Sequence, residues 1–224
     1  MKTNQEYKNA ALAALKGKWT SSVCATLVLC AMMLAIVVIA VVVEAAVNPD
    51  MLDSELMSPW AYLILYGSVF LLYYPLGMVG YYNAFKNLFR TGDGRVTANM
   101  FSYTFSGYLK ALGLSLLYVL FVFLWSLLLY IPGIIKGLVY SMSPFILKDK
   151  PELSANQAIN LSQKMMKGHK FDFFCLMLSF IGWGILAVFT LGIGYLWLAP
   201  YMSATMVAFF EDVKAEYEAQ QTAA

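Results

Sequence analysis

The chain has 224 residues, of which 61% are hydrophobic and 12% are charged, whereas an ordinary soluble domain is about 45–50% apolar and about 25% charged. The charges lie in short clusters between long apolar runs, and the net charge of +2 is too small to indicate a nucleic-acid partner. The composition therefore excludes a soluble domain, a disordered chain and a nucleic-acid-binding protein. It favours an all-α, polytopic membrane helical bundle that forms a single membrane domain over residues 1–224.

The long apolar runs predict membrane helices, because a helix needs about 20 predominantly apolar residues to cross a bilayer. The run from Phe173 to Phe210 is too long for one crossing, so it should fold back at Thr190–Gly194, and Pro132 should end one helix and begin the next. The fourth segment is short, and a re-entrant segment is the main alternative there. The sequence predicts six transmembrane helices as three hairpins, at residues 20–44, 59–88, 108–131, 133–149, 171–190 and 194–213.

The basic residues predict the orientation of these helices. Every Lys and Arg except Lys136 precedes the first helix, follows the sixth, or lies in residues 86–110 or 148–170. With six crossings all four segments face one side, which the positive-inside rule assigns to the cytoplasm. The opposite side receives the acidic loop 44–59, so both termini are predicted to be cytoplasmic.

Polar stretches before the hairpins predict short interfacial amphipathic helices. Residues 154–168 carry a candidate capping box, Ser154 with Gln157, and residues 97–109 show a similar apolar periodicity. Such helices lie on anionic lipid or pack over the bundle.

A recurring entry pattern indicates possible repeat units at residues 1–90, 91–149 and 150–217. A glycine beside lysine and an aromatic residue precedes the first and third hairpins, at Gly17 and Gly168, and a weaker version occurs at Gly107. The alternative is that this pattern is simply common where a chain enters a membrane.

Small residues at helical spacing predict close helix packing. One stripe contains Gly133, Gly137 and Ser141, and contact between the third and fourth helices is expected there. A homodimer interface is the alternative. The second stripe is Gly107, Ala111 and Ser115.

Three prolines inside predicted helices, Pro75, Pro144 and Pro200, should kink them and leave a central cleft. Polar side chains available to line this cleft are Ser68, Asn83, Ser126, Ser143, Ser179 and Ser203.

The sequence predicts no catalytic residue, no metal site and no cofactor. The chain has one histidine, and its three cysteines lie within apolar runs, as free thiols do. Lys136 is an ionisable residue inside a span, which either reaches the outer headgroups, pairs with Glu44, or contacts a substrate or lipid headgroup. Asp172 is expected to pair with Lys170 or another lysine. Candidate contacts for lipid or substrate are Lys136, Lys167, His169 and Lys170.

Several segments resemble a known family. They include Ile131-Pro-Gly-Ile-Ile-Lys136, Tyr140-Ser-Met-Ser-Pro-Phe-Ile-Leu147, Asp149-Lys-Pro151, Met165-Met-Lys-Gly-His-Lys170 and Leu178-Ser-Phe-Ile-Gly-Trp183. Together they resemble a family of uncharacterised bacterial integral membrane proteins, domain of unknown function 975. The resemblance implies a location in the bacterial cytoplasmic (inner) membrane and implies no reaction.

Two functional hypotheses remain. In the preferred one, the protein is not an enzyme and acts by contact with membrane lipids or with another membrane protein, in an accessory or assembly role. The alternative is a small permease or channel that moves an apolar or anionic solute past Lys136, along Gly137, Ser141 and Pro144.

Overall fold

The computed structural model describes residues 2–48, 58–102, 105–128 and 130–222, and these residues form helices joined by short turns. The helices in chain order are α1 (Asn4–Leu15), α2 (Trp19–Val47), α3 (Pro59–Thr91), α4 (Val96–Met100), α5 (Phe105–Leu128), α6 (Tyr130–Tyr140), α7 (Ser143–Asp149), α8 (Ala155–Met165), α9 (Lys170–Leu178), α10 (Ile181–Phe189) and α11 (Tyr195–Thr222).

Four segments are long and apolar enough to cross a membrane, namely Trp19–Val47, Pro59–Thr91, Gly107–Leu127 and Lys170–Phe189. They correspond to the first, second, third and fifth predicted crossings. These segments confirm the all-α membrane class and support a multi-pass membrane protein.

The prediction of one continuous helix over 133–149 is wrong. Helix α6 ends at Tyr140, and α7 begins at Ser143 with Pro144 in its first turn. A proline is tolerated there because the first turn needs no intrahelical N–H donor, whereas inside a helix its ring clashes with the carbonyl one turn earlier. Pro144 therefore breaks the helix rather than kinking it.

The other two prolines behave differently. Pro75 lies between two π-helical turns of α3, Val69–Tyr73 and Leu76–Tyr81, which confirms a local distortion of this helix. Pro200 lies inside α11, which remains helical through it. The predicted fifth helix is interrupted at Ser179-Phe180, between α9 and α10.

The amphipathic helix predicted at 154–168 is confirmed as α8, with the capping box of Ser154 and Gln157 in place. Its buried face packs on α5, α6 and α7, so it covers the bundle. The buried residues are Ala158, Ile159, Ser162 and Met165.

A single amphipathic helix over 97–109 is wrong, because the short helix α4 ends at Met100. Residues 103–104 lie outside the described part of the chain, and α5 has begun by Phe105.

Two of the predicted entry corners have the same geometry. Gly17, between α1 and α2, and Gly168, between α8 and α9, have φ angles of 75° and 95°. These lie in the left-handed region, which glycine occupies without steric cost. Gly107 instead lies inside α5, so the middle entry is built differently. The repeat units themselves remain a prediction.

In the structure α5 packs along α6, which is the first part of the predicted fourth helix. A Cβ atom on Gly133 would lie 2.1 Å from Ser126 Oγ, and one on Gly137 would lie 3.9 Å from the Tyr118 hydroxyl. In the second stripe, Ala111 and Ser115 are fully buried.

Packing is concentrated towards one end of the bundle. There α1 packs on α11, and Tyr7, Ala11 and Leu15 join a core with Phe209 and Phe210. Towards the other end the helices expose large apolar side chains, such as Leu34, Ile39, Trp60, Leu127 and Phe189.

Candidate functional site

A cavity of about 600 Å³ lies among α2, α3, α5, α7 and α11. Its walls are mainly apolar, and they include Leu29, Met78, Leu196 and Met206. Six of the lining residues are tyrosines, Tyr73, Tyr74, Tyr81, Tyr82, Tyr118 and Tyr195.

The cavity lies where the helices depart from regular geometry. The π-helical turns of α3 carry Tyr73 and Gly77, and the break between α6 and α7 supplies Ser141 and Pro144. Gly192, in the turn before α11, completes this side of the wall. A cleft was predicted from kinks at three prolines; the structure has a cavity here, and of those three prolines only Pro144 belongs to its lining.

The polar residues predicted to line the cleft do not line it. The five serines of that set each donate a hydrogen bond to a carbonyl oxygen of the preceding turn, as Ser68 does to Ile64 at 2.6 Å. Asn83 donates to the Val79 carbonyl at 2.6 Å. Short polar side chains in a helix commonly bond the local backbone in this way, so they provide no lining groups.

The tyrosine hydroxyls differ in their partners. Tyr81 and Thr26 share a hydrogen bond of 2.7 Å, and Tyr118 donates to the Gly137 carbonyl at 3.2 Å. Among the described residues, the hydroxyls of Tyr73, Tyr74 and Tyr82 have no hydrogen-bond partner. An apolar cavity with a few available hydroxyls fits a molecule that is mostly apolar and has a small polar part.

These tyrosines were not predicted as lining residues, although a repeated pair of tyrosines in the sequence indicates them. Tyr73-Tyr74 and Tyr81-Tyr82 repeat after eight residues on either side of Pro75. A spacing of seven or eight residues returns to a similar helix face, so the pairs were candidates for one shared surface.

Next to the cavity, the Asp149 carboxylate binds three cations. Its Oδ1 lies 2.6 Å from Lys86 Nζ and 2.7 Å from Arg90 Nη1, and its Oδ2 lies 2.8 Å from Lys214 Nζ. Arg90 also pairs with Glu211 at 2.6 Å. This ion-pair cluster joins α3, α7 and α11 and was not predicted.

Part of the ion-pair cluster is buried, so its charges need partners within the protein. The Lys86 side chain is only 2% exposed, and its ammonium also donates to the Phe145 carbonyl at 2.9 Å. Burial raises the pKa of Asp149, but hydrogen bonds from Arg90, Lys214 and Lys86 outweigh it and hold the pKa below its ordinary value. The carboxylate is therefore charged at neutral pH and neutralises a buried lysine.

Lys136 does not pair with Glu44, so that predicted alternative is wrong. The Glu44 carboxylate has its hydrogen-bond partners at the start of α3. It accepts hydrogen bonds from the Ser58 amide at 2.8 Å and from the Ser58 hydroxyl at 2.7 Å. The Lys136 ammonium instead lies 4.4 Å from the centre of the Trp125 ring, a cation–π contact. Lys136 and Gly137 are not among the residues that line the cavity.

The turn between α8 and α9 forms a basic corner with α11. His169 Nε2 lies 3.4 Å from Glu216, and His169 Nδ1 lies 3.9 Å from Asp172, so the predicted pairing of Asp172 with a lysine is wrong. A pocket of about 270 Å³ at this corner is lined by Lys164, Met165, Lys167, His169, Tyr217 and Gln220.

The structure thus brings Lys167 and His169 together but places the other two predicted contacts elsewhere. Lys170 lies with Phe171 and Phe174 beside an apolar groove along α6, and Lys136 lies on Trp125. In the described part of the chain, no group of three or more His, Cys, Asp or Glu residues could hold a metal ion.

Comparisons with known proteins bear on the C-terminal part of the chain. Residues 127–217 match a family described as "Protein of unknown function (DUF975)". This match confirms the family resemblance. The DUF975 region includes α6 to α10, Asp149 and the basic corner except Gln220. Lys86, Arg90 and the cavity residues of α2 and α3 precede it. Searches of curated proteins and of solved structures returned no match.

Proposed function

We propose that this protein crosses the bacterial cytoplasmic membrane six times with both termini in the cytoplasm, and that it acts without catalysis by holding a lipid or another amphiphile. In this proposal the tyrosine-lined cavity is the binding site, and the role is an accessory one towards lipids or neighbouring membrane proteins.

Contacts among the basic segments support six crossings. Lys2 pairs with Asp212 at 3.0 Å, Lys110 donates to the Pro151 carbonyl, and Lys148 donates to the Ser102 carbonyl at 3.1 Å. Lys214 of α11 also pairs with Asp149 at the end of α7 at 2.8 Å, so the segments before α2, between α3 and α5, between α7 and α9, and in the second half of α11 meet at one end of the bundle. Two helical passes between successive segments give this arrangement. The fourth pass consists of α6 and of α7 up to Leu147, with Lys148 and Asp149 outside it, and α11 provides the sixth pass.

The observation that carries the proposed function is the cavity itself. A volume of about 600 Å³ is within the range of small-molecule sites, about 300–1,000 Å³. Its apolar wall suits an acyl chain, and the hydroxyls of Tyr73, Tyr74 and Tyr82 suit an ester or headgroup oxygen.

Native mass spectrometry of protein extracted in mild detergent tests this proposal. The variant Ala199→Trp fills part of the cavity, and Leu186→Trp places the same side chain on an exposed face of α10 as the control. We expect wild type and Leu186→Trp to retain a co-purifying amphiphile and Ala199→Trp to lose it. The same retained mass in all three proteins would contradict the proposal. Tyr74→Phe, which removes only one hydroxyl, serves as a second variant if Ala199→Trp unfolds.

The permease alternative is favoured by one observation, since Ser141 and Pro144 both line the cavity. Cys30 also lines it, whereas Cys24, which is exposed as Cys30 is, does not belong to its lining. In single-cysteine variants, a water-filled path predicts that a polar thiol reagent added from one side modifies Cys30 and a cysteine introduced at Ser141. A lipid-filled cavity predicts that neither is modified.

A further inference from the structure

We propose that the pocket between α8, α9 and α11 is a binding site for a phosphate group, and that the phosphate belongs to an anionic membrane lipid. This inference rests on the proposed crossing of the membrane by α9 and α10, but it does not depend on an occupied tyrosine-lined cavity.

The lining side chains give the pocket a positive charge with donors for an anion. The ammonium groups of Lys164 and Lys167 have no ion pair or hydrogen bond to another described residue. The Tyr217 hydroxyl accepts a hydrogen bond from Gln221 at 2.9 Å, which leaves its own proton available for donation. Lysine ammonium groups bind phosphate as point charges without a fixed geometry.

The acidic groups near the pocket are already engaged. Glu216 accepts from Gln220 at 3.3 Å and lies 3.4 Å from His169 Nε2, and Asp172 lies on the other side of the His169 ring. Glu216 and Asp172 therefore face His169 and Gln220 rather than the two lysines. The pocket thus offers two ammonium groups that have no partner among the described residues.

The position of the pocket favours a lipid over a soluble anion. His169 directly precedes the candidate span Lys170–Phe189, whose second residue, Phe171, is 71% exposed. An apolar side chain exposed at the second residue of a span lies at the edge of the hydrocarbon core, and the basic residue directly before it, Lys170, is of the kind that stays among the headgroups. A phosphate held by Lys164 and Lys167 is therefore at the depth of the lipid phosphates, and basic pockets at this level bind anionic headgroups.

The experiment is a lipid titration of the purified full-length protein in detergent, followed by native mass spectrometry. The probes are dioleoyl phosphatidylglycerol and dioleoyl phosphatidylcholine. The test variant is the double substitution Lys164→Gln and Lys167→Gln, and the control is Lys16→Gln with Lys18→Gln, which removes two lysines at the corner between α1 and α2 that do not line the pocket. Tyr217→Phe is a second variant that removes a hydroxyl and no charge.

We expect the test variant to bind phosphatidylglycerol about thirtyfold more weakly, since each of the two lysines near a headgroup contributes about 1 kcal/mol and a tenfold change in affinity corresponds to about 1.4 kcal/mol. The control and the phosphatidylcholine titrations should change little, and Tyr217→Phe should give a smaller loss. Equal phosphatidylglycerol affinity in the test and control variants would overturn the proposal.

Calorimetric titration with inorganic phosphate distinguishes a lipid headgroup from free phosphate as the source of the bound phosphate group. Lysine-dependent binding of inorganic phosphate, without lysine-dependent binding of phosphatidylglycerol, would support the site but overturn its assignment to a lipid. If Ala199→Trp loses the co-purifying amphiphile but still binds phosphatidylglycerol as wild type does, the tyrosine-lined cavity and the pocket between α8, α9 and α11 are separate sites.

Discussion

The two ends of the bundle are stabilised by different surroundings. At the cytoplasmic end of the proposed topology, Phe85, Phe145 and Phe209 are fully buried by other parts of the chain, and the Asp149 ion-pair cluster joins three helices. At the other end, Phe189 is 81% exposed and Leu191 is 94% exposed. The chain thus stabilises one end by its own contacts, whereas the apolar surface of the other end is available for contact with lipid.

The largest difference in stability between the two ends is expected when a phenylalanine is truncated at each end. Phe209→Ala should lower the free energy of unfolding by about 3–5 kcal/mol, because it leaves a cavity in a closed core. Phe189→Ala, at an exposed position, should cost under about 1 kcal/mol. Unfolding by dodecyl sulfate in mixed micelles measures both, and equal losses would remove the distinction between the two ends.

The next largest effect is expected for Asp149→Asn. Loss of this carboxylate leaves Lys86 buried without a counter-charge, which should cost about 3 kcal/mol. Asp93→Asn is the matched control, since Asp93 pairs with Arg95 in the exposed loop after α3 and its loss should change stability little. The same unfolding measurement applies, and a neutral Asp149→Asn would show that the ion-pair cluster is not needed for the packed end.

Glycine substitutions test the packing of α5 against α6. Gly133→Ala places its Cβ against Ser126 and should cost about 1–3 kcal/mol through overpacking. Gly182→Ala, in α10, meets no atom within 4 Å and should not destabilise the protein. If Gly133→Ala is as stable as Gly182→Ala, the close contact between α5 and α6 is not present in the membrane.

The smallest effect concerns pH. Because the pKa of Asp149 is lowered in the folded protein, its contribution to stability is present at neutral pH and is lost as the pH falls through the folded pKa. At about pH 4, near the pKa of the unfolded state, the loss is only about 0.4 kcal/mol, and it grows below that pH. Stability curves of wild type and Asp149→Asn should therefore converge below pH 4. Parallel curves down to pH 2 would contradict the assignment of a lowered pKa.

Locally encoded features could be predicted from the sequence. The four long spans follow from runs of apolar residues, and the start of α8 follows from Ser154 and Gln157, which bond each other's backbone amides. The corner at Gly168 follows from a glycine beside lysine and an aromatic residue. Each of these features depends on residues within a few positions of one another.

Features formed by distant residues could not be predicted in this way. Lys86 and Asp149 are separated by 63 positions, and a charge count along the chain assigns Lys86 to a solvated basic segment. The cavity has the same origin, because its six tyrosines come from α3, α5 and α11, which are far apart in the chain. Only the tyrosine pairs on α3 gave a local signal.

The central claim is that an even number of passes places all the basic corners on one side of the membrane. Single cysteines at Lys16, Asp93, Lys150 and Lys167 in a cysteine-free variant, together with one at Leu191, test it in spheroplasts with a membrane-impermeant thiol reagent. We expect modification of Leu191→Cys in intact spheroplasts and of the other four only after the membrane is opened. Modification of Asp93→Cys and Lys150→Cys from opposite sides would contradict it.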